Sequence, residues 1–298
     1  IGVRLVGSEM CIRDRYTTLQ RSTLISFLKD KLPSNLINFN KDVVSVYQKN
    51  KKIELSFEDK SKIECDYLII SDGVFSKTKS LIAKKEIKPK YFNSIAFRAT
   101  IDRNKLQMIE PNNISLFLGS NLHSVIYPTN NNFFNFITIL RKSLNDQELA
   151  NYSLFDSKDF VSSALTEISE QVDPNIIKSL KDIKCFPVFV SSKIYQPENK
   201  NIFLIGDAFF AFPPTFAQGA SQSIEIANEL YKNFEKNNIH FNIKRIKRIK
   251  MINRKSKLNY FVFHISSSSL NLLRNFVLKY LVKNKFFISN YLGKIYKD

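Results

Sequence analysis

The chain has 298 residues, a net charge of +18 and 44% hydrophobic residues. This is enough apolar material for one large domain or two interleaved ones. No apolar run approaches the roughly 18 residues that a membrane-spanning helix needs, and the first residues lack a signal-peptide pattern. The three cysteines, Cys11, Cys65 and Cys185, are far apart, which excludes a disulfide framework and predicts a cytoplasmic protein.

The positive charge is spread along the chain. Lysine outnumbers arginine about three to one, which indicates a diffuse solvated surface and argues against a nucleic-acid partner. The exception is residues 243–257 (IKRIKRIKMINRKSK), whose charges recur at near-helical spacing beside Ile and Met. Such a helix suits an anionic membrane surface, so peripheral contact with the inner membrane through basic C-terminal helices is one possibility.

Residues 1–15 (IGVRLVGSEMCIRDR) differ in composition from the rest of the chain, because they are rich in arginine and contain no lysine. The run VGSEMCIRDR is typical of a translated adapter sequence. We therefore predict that residues 1–15 are non-native and that the native sequence begins near Tyr16, without its own N-terminal part.

Residues 16–90 alternate between helix and strand patterns. Apolar positions between Leu19 and Leu32 predict an amphipathic helix, which Pro33 ends. The segments DVVSVYQ and KIELSFED alternate apolar and polar residues and predict a hairpin. The run CDYLIISDG is continuously apolar up to Asp72 and Gly73, as expected for a strand buried on both faces.

Residues 91–190 contain four strand-like runs, SIAFRATI, ISLFLG, HSVIYPT and FFNFITILR, separated by polar turns. They predict a meandering antiparallel sheet. Residues 157–182 look helical, with a break at Pro174, and VFVSSKIYQ predicts another strand. Residues 191–240 then give a strand, a loop and a helix, and residues 241–298 give helices with long apolar faces.

Two of the predicted strands end next to an aspartate. Asp72 precedes Gly73, and Asp207 follows Gly206 in the segment NIFLIGDAFFAFPPTFAQGASQS. In parallel α/β sheets, ligands bind beyond the carboxyl ends of the strands, where an aspartate can accept hydrogen bonds from ligand hydroxyls. The helix predicted from about Ala220 would point its free amides into the same space. Alone, the Asp207 segment is equally compatible with an ordinary turn from strand to helix, and an isolated Asp–Gly pair such as Asp72–Gly73 is usually just a turn.

Together the two motifs resemble those of the FAD-dependent aromatic hydroxylases, the single-component flavin monooxygenases built like para-hydroxybenzoate hydroxylase. DGVFSKTK is similar to the family pattern DGxxSxxR, with Lys79 in place of Arg. GDAFFAFPPTFAQGASQSIEI is similar to GDAAHxxxPxxGQGxNxxxED. The resemblance spans residues 17 to 295, and the C-terminal segment looks most like the ubiquinone-biosynthesis branch.

The resemblance implies contacts for individual residues. Asp72 and Gly73 would lie at the flavin and nicotinamide phosphates, and Asp207 would hold the ribityl chain. Arg21 would contact the flavin, and Val43 would lie near the adenosine. The remaining positions, which would approach the flavin ring largely through backbone, are Gly206, Pro214, Gln218, Gly219, Ala220 and Ser221.

The sequence departs from the family pattern at several positions. Phe210 replaces the family's His, Ala217 its first Gly, Ser221 its Asn and Ile226 its Asp. The glycine-rich GxGxxG turn that grips the FAD pyrophosphate occurs nowhere. We therefore expect either a fragment or a chain that does not hold FAD tightly.

The resemblance implies a mixed α/β fold. A Rossmann-like FAD-binding domain without its first βαβ unit (residues 16–90 and 191–240) is interleaved with an antiparallel-sheet substrate domain (91–190), and helices follow (241–298). It also implies hydroxylation of an aromatic substrate with NAD(P)H and O2, and a prenylated phenol is a natural candidate for that substrate. No catalytic side chain or metal is expected, and His123, His240 and His264 are predicted to be structural or surface residues.

Other functions remain open at this point. Within the family, an epoxidase or a prenyl reductase fits the same motifs, whereas a halogenase is disfavoured because the chain has no Trp and so lacks the WxWxIP signature. Outside enzymes, a basic lipid- or nucleic-acid-binding protein, or a remnant of the fold without cofactor, are the alternatives.

Overall fold

The structure is a computed structural model that describes residues 2–5, 20–49, 52–106, 109–110, 113–129, 132–236 and 241–296. The described strands are β1 (Gly2–Leu5), β2 (Val43–Lys49), β3 (Lys52–Phe57), β4 (Lys62–Cys65), β5 (Leu68–Ile70), β6 (Lys90–Asp102), β7 (Ile114–Leu118), β8 (Leu122–Pro128), β9 (Phe133–Arg141), β10 (Lys181–Val190) and β11 (Ile202–Leu204).

The described helices are α1 (Arg21–Lys29), α2 (Lys77–Ala83), α3 (Asp146–Ala150), α4 (Lys158–Ser169), α5 (Pro174–Lys178), α6 (Gly206–Phe209), α7 (Gly219–Lys236), α8 (Phe241–Phe263), α9 (Ser268–Leu281), α10 (Lys285–Ile288) and α11 (Lys294–Tyr296). Single turns of 3₁₀ helix occur at Ser34–Leu36, Arg103–Lys105 and Tyr152–Asp156, and a π-helical turn at Ser289–Gly293.

The chain divides into two compact units. The sheet unit comprises residues 1–31, 93–188 and 260–298, and the motif unit comprises residues 32–92 and 189–259. The sequence-based domain assignment stays a prediction.

The sheet unit is built on six strands in the order β1-β7-β8-β9-β6-β10. The meander from β7 to β9 is antiparallel, as the alternating runs predict. One face buries Phe97, Phe134 and Phe136 against α4 and α5, and these three rings are at most 1% exposed. Burial of each such ring contributes about 1.5–3 kcal/mol, so this layer sets the register of the sheet.

The edge strand β1 comes from the segment that the sequence predicts to be non-native. Gly2–Leu5 pairs antiparallel with Ile114–Leu118. Residues 6–15, which are the whole of the adapter-like run, lie outside the described residues, and the non-native assignment stays a prediction.

The motif unit contains the predicted hairpin, which β4 extends to three antiparallel strands, and the parallel pair β5 and β11. Its core includes Ile70, Leu204 and Ile226. The prediction that β5 is buried on both faces is wrong, because Ile69 is 46% exposed. Among the described strands β5 pairs with β11 alone.

The mixed α/β fold class is confirmed, and the main corrections concern local elements. The strand predicted at VFVSSKIYQ begins earlier, at Lys181, and ends at Val190. Pro174 starts helix α5 at a position where its missing amide costs nothing. The one-turn helix α6 was not predicted, because four residues are too few to show a helical period.

The basic helix α8 buries part of its apolar side. Ile249 and Ile252 are at most 3% exposed and Arg245 is 1% exposed, whereas Ile243 is 56% exposed. The interpretation of residues 243–257 as a lipid-facing amphipathic helix is therefore wrong for Ile249 and Ile252. Within the described part of the chain, no helix is both long and apolar enough to cross a membrane.

Two histidines that are 141 residues apart meet inside the sheet unit. Nδ1 of His123 lies 2.8 Å from Nε2 of His264, and both side chains are at most 2% exposed. Burial lowers the pKa of both imidazoles, and the charges of Arg141 and Arg274 lower the pKa of His264 further. The pair is therefore neutral in the folded protein at neutral pH.

This pair should make the protein acid-sensitive. The folded-state pKa values lie below the unfolded value of about 6.5, so the unfolded chain takes up protons that the folded chain excludes. We expect the free energy of unfolding to fall by up to about 3 kcal/mol between about pH 7.5 and pH 5.5, at most about 1.4 kcal/mol for each histidine and pH unit.

Urea denaturation at the two pH values measures this loss. The double variant His123→Gln/His264→Gln should have a smaller pH dependence than the wild type. An unchanged dependence in the double variant would show that the pair does not titrate on unfolding.

Candidate functional site

The two aspartates of the sequence motifs lie at the same edge of one parallel strand pair. Strands β5 and β11 run in register, with Ile70 opposite Leu204. Asp72 and Asp207 follow the ends of these strands within three residues. Adjacent parallel strands end at the same sheet edge, so the geometry brings the two motifs together, as the sequence predicts.

The first motif forms a capped loop. The Asp72 carboxylate accepts a hydrogen bond from the Thr78 amide (3.1 Å), and the Ser76 hydroxyl accepts one from the Lys79 amide (3.0 Å). Gly73 has φ +86°, a conformation that favours glycine. These contacts satisfy amides at the start of α2 and fix the loop without using the second oxygen of Asp72.

Lys79 connects the first motif to the second. Its side chain is buried, and its Nζ donates a hydrogen bond to the carbonyl oxygen of Ala208 at 3.0 Å, across 129 residues of sequence. Burial lowers the pKa of Lys79, while the negative charge of Asp72 acts in the opposite direction. The ammonium therefore links the loop after β5 to the residue next to Asp207.

The second motif turns sharply at Gly206. Its φ is +57°, and a Cβ atom there would lie 3.0 Å from the Ser223 hydroxyl oxygen. Helix α6 then places Asp207 at the surface while Ala208 and Phe209 enter the core. Gly206 therefore lets an exposed carboxylate follow directly after a buried strand.

The first turn of α7 is open to a ligand. Gly219, Ala220 and Ser221 are exposed, and no atom lies within 4 Å of a Cβ built on Gly219. Amides in the first turn of a helix have no acceptor within the helix, and the helix dipole adds partial positive charge there. Pro214 is exposed in the preceding loop, whereas Pro213 is buried.

Gln218 faces the protein interior. It is 4% exposed, and its Oε1 accepts a hydrogen bond from Gln222 Nε2 at 3.2 Å. Only its backbone is available to a ligand, as the resemblance implies. The residue before it, Ala217, has φ +52°, so the position where the family carries glycine keeps the left-handed conformation without glycine.

Other departures from the family pattern are packed inside the unit. Phe210 is 6% exposed and lies against Phe212, with ring centroids 5.2 Å apart. Ile226 is 1% exposed. These side chains add to the core behind the second motif, so they replace polar groups without placing an aromatic ring in the open loop.

The two remaining predicted residues lie outside the two sequence motifs. Val43 begins β2 and lines a cavity of about 720 Å³ together with Phe75, Ser76 and Lys77 of the first motif. Arg21 begins α1 in the sheet unit, and its side chain is exposed. The contact of Arg21 with a cofactor stays a prediction.

Comparison with known proteins identifies the family. The profile of the FAD binding domain matches residues 15–236. The chain belongs to this family. It is 25% identical to 6-hydroxynicotinate 3-monooxygenase of Bordetella bronchiseptica, over 74% of this chain and 57% of that protein. It is 22% identical to a salicylate hydroxylase of Pseudomonas putida, over 71% of this chain and 52% of that protein.

Solved structures share the fold. HpxO of Klebsiella pneumoniae, in complex with FAD and uric acid, superposes with a TM-score of 0.76 at 16% identity, over 93% of this chain and 71% of that chain. A salicylate hydroxylase substrate complex gives a TM-score of 0.73 at 16% identity, over 93% of this chain and 73% of that chain. The chain spans about half the length of the curated relatives it matches.

The residues of the motif unit fit FAD. Gly73 leaves open space at the first loop, and Gly219 leaves open space at the second. An exposed carboxylate at Asp207 suits a polyol, and the free amides of α7 suit the carbonyl-rich edge of a flavin. This donor set matches a ligand that carries both hydroxyls and an electron-rich ring system, and FAD has both.

Ala217 gives a prediction about stability. A non-glycine residue in the left-handed region costs about 1–2 kcal/mol, so Ala217→Gly should raise the free energy of unfolding by about 1 kcal/mol. The same change at the exposed helical residue Ala227 should lower it by about 1 kcal/mol. Urea denaturation measures both; destabilisation by Ala217→Gly would show that the loop is unstrained.

Proposed function

We propose that this protein is an FAD-dependent monooxygenase that hydroxylates an aromatic ring with NAD(P)H and O2. The observation that carries this proposal is the Lys79–Ala208 hydrogen bond, which joins the loops of both motifs at one sheet edge. The names of the relatives support the reaction class, since they are a hydroxynicotinate monooxygenase and salicylate hydroxylases.

The motif unit would hold the cofactor. The Asp207 carboxylate would accept hydrogen bonds from the ribityl hydroxyls, and the amides of Gly219, Ala220 and Ser221 would donate to the pyrimidine edge. Asp72 and Gly73 would lie on the phosphate side. When bound, FAD would supply the redox and oxygen-transfer chemistry.

The chain also excludes water from behind the cofactor loops. Ala208, Phe209 and Phe210 are each at most 6% exposed and form an apolar layer under Asp207. Reactive intermediates of oxygen transfer decay in water, so an apolar layer that excludes water favours hydroxylation over NAD(P)H oxidation without product. No side chain of the loop is needed as an acid or base for this role.

The sheet unit offers a surface for an aromatic ring. Arg98, Ile137 and Val125 stand directly opposite one another on β6, β9 and β8. They alternate with core residues, so they share the other face, where Arg98 is exposed and the two apolar side chains are half-buried. This row favours a flat apolar ring beside an acidic group, as in salicylate.

A prenylated phenol is the second candidate substrate, and α9 favours it. This helix exposes Leu272, Leu273 and Phe276, each at least 57% accessible, while Arg274 is 6% exposed and donates to the carbonyls of Val262 and Phe263. The usual polarity of a surface helix is therefore reversed. Residues 265–297 carry six basic and no acidic side chains, which complements an anionic membrane surface.

The cofactor part of the proposal predicts the effect of Asp207→Ala. Loss of a charged acceptor should weaken FAD binding at least about tenfold, since such a hydrogen bond contributes about 1.5–3 kcal/mol. Quenching of FAD fluorescence measures the affinity, and Asp159→Ala, an exposed aspartate in the first turn of α4, is the control. A wild type without FAD affinity, or unchanged affinity in Asp207→Ala, would contradict the proposal.

The rate of NAD(P)H oxidation then distinguishes the two candidate substrates. The proposal predicts NAD(P)H oxidation that rises when a phenolic substrate is added. Stimulation by salicylate alone favours the aromatic acid, whereas stimulation by a prenylated phenol alone favours the lipid-like substrate.

The membrane part predicts flotation with vesicles. The wild type should float with phosphatidylcholine vesicles that contain phosphatidylglycerol, and Leu272→Glu should abolish flotation because a charge enters the apolar face. Leu36→Glu, at a leucine that is 62% exposed in the motif unit, is the matched control. Failure of the wild type to float, or equal loss in Leu36→Glu, would contradict membrane contact.

A further inference from the structure

Arg245 is the largest side chain among the most deeply buried residues, and the proposed chemistry does not use it. It lies on α8, is 1% exposed, and its Nη1 donates to the Glu225 carboxylate of α7 at 2.6 Å. A second carboxylate oxygen, from Glu229, lies 3.4 Å away. A buried guanidinium needs such partners, because an unpaired charge in the interior is costly.

The other terminal nitrogen of the Arg245 guanidinium, Nη2, starts a series of contacts that reaches the loop before α7. Nη2 of Arg245 donates to Oε1 of Gln222 at 2.6 Å and to the backbone carbonyl of Gln222 at 3.2 Å. Gln222 Nε2 donates to the Glu225 carboxylate at 2.8 Å and to Gln218 Oε1 at 3.2 Å. Gln218 Nε2 lies 3.4 Å from the Phe216 carbonyl. A chain of polar contacts therefore runs from α8 to the residue before Ala217.

The end of this chain is the strained part of the loop. Ala217 occupies the left-handed region, and the first turn of α7 follows after Gln218. A strained backbone persists only where its surroundings determine it. The planar fork of Arg245 holds the Gln222 amide in one orientation, and Gln222 in turn holds Gln218. Lysine cannot make the same set of contacts, because its single ammonium group rotates freely and does not present several donors in one plane.

We propose that Arg245 is a positioning residue, which through Gln222 and Gln218 fixes the Phe216–Gly219 turn and so aims the first-turn amides of α7 at the flavin. This inference rests on the proposed function for the identity of the ligand only. The geometry of the turn does not depend on it.

The test uses two variants, because either one alone could fail to fold. Arg245→Lys keeps the charge but loses the fork. Gln222→Met keeps the pairing of Arg245 with Glu225 and removes the Gln222 side-chain amide, with its contacts to Arg245, Gln218 and Glu225. Arg248→Met is the control, since Arg248 also binds Glu225, with contacts of 2.9 and 3.2 Å, and its loss disturbs the same ion-pair cluster.

We expect about tenfold weaker FAD binding in Arg245→Lys and Gln222→Met, a factor that corresponds to about one hydrogen bond. The visible circular-dichroism bands of the bound flavin should change as well. The amide of residue 222, which donates to the Gln218 carbonyl at 2.8 Å, should exchange with deuterium about tenfold faster in both variants without FAD. Arg248→Met should lower thermal stability while these readouts stay near wild type.

The outcomes separate the two proposals. If the wild type binds no FAD, the proposed function fails, and the exchange rate of the residue 222 amide still decides the role of Arg245. If Gln222→Met keeps wild-type exchange and affinity, or if Arg248→Met changes both equally, Arg245 has only a structural role and the inference is overturned.

Discussion

The hydrogen bond from the Lys79 ammonium to the Ala208 carbonyl is the interaction on which the site depends. It is buried and it joins two loops that are distant in sequence, so neither loop can move without breaking it or leaving a charged donor unsatisfied. The parallel pairing of β5 with β11 brings the loops to the same edge. Lys79 then fixes their separation, which a ligand that contacts both Asp72 and Asp207 would require.

Around this contact, the loops of the motif unit offer mainly backbone groups to a ligand. Gly206 and Ala217 hold left-handed conformations, and the start of α7 provides amides that have no acceptor within the helix. Side chains face inward, where Phe210 packs in the core and Gln218 joins the cluster around Arg245. Family positions such as Phe210 and Ile226 can therefore change identity, because their side chains fill the core while the loop keeps its course.

Much of this architecture was predictable from local sequence patterns. Period-two alternation predicted the hairpin and the meander, and the Asp–Gly and Gly–Asp pairs predicted the two loops. Long-range partners were not predictable, because a pattern of residues does not specify which distant group a side chain meets. The contact between His123 and His264 and the partner of Lys79 belong to this class. The inward face of α8 was misassigned because Arg245 and Arg248 find carboxylates on α7, which makes a basic helix internal.

The most direct measurement is an FAD titration of the isotope-labelled chain, followed by backbone amide chemical shifts. If both loops bind one cofactor, shifts should change together, with one dissociation constant, at Gly73–Thr78 and at Gly206–Ser221. Changes confined to one of the two loops, or different dissociation constants for the two, would contradict a shared crevice.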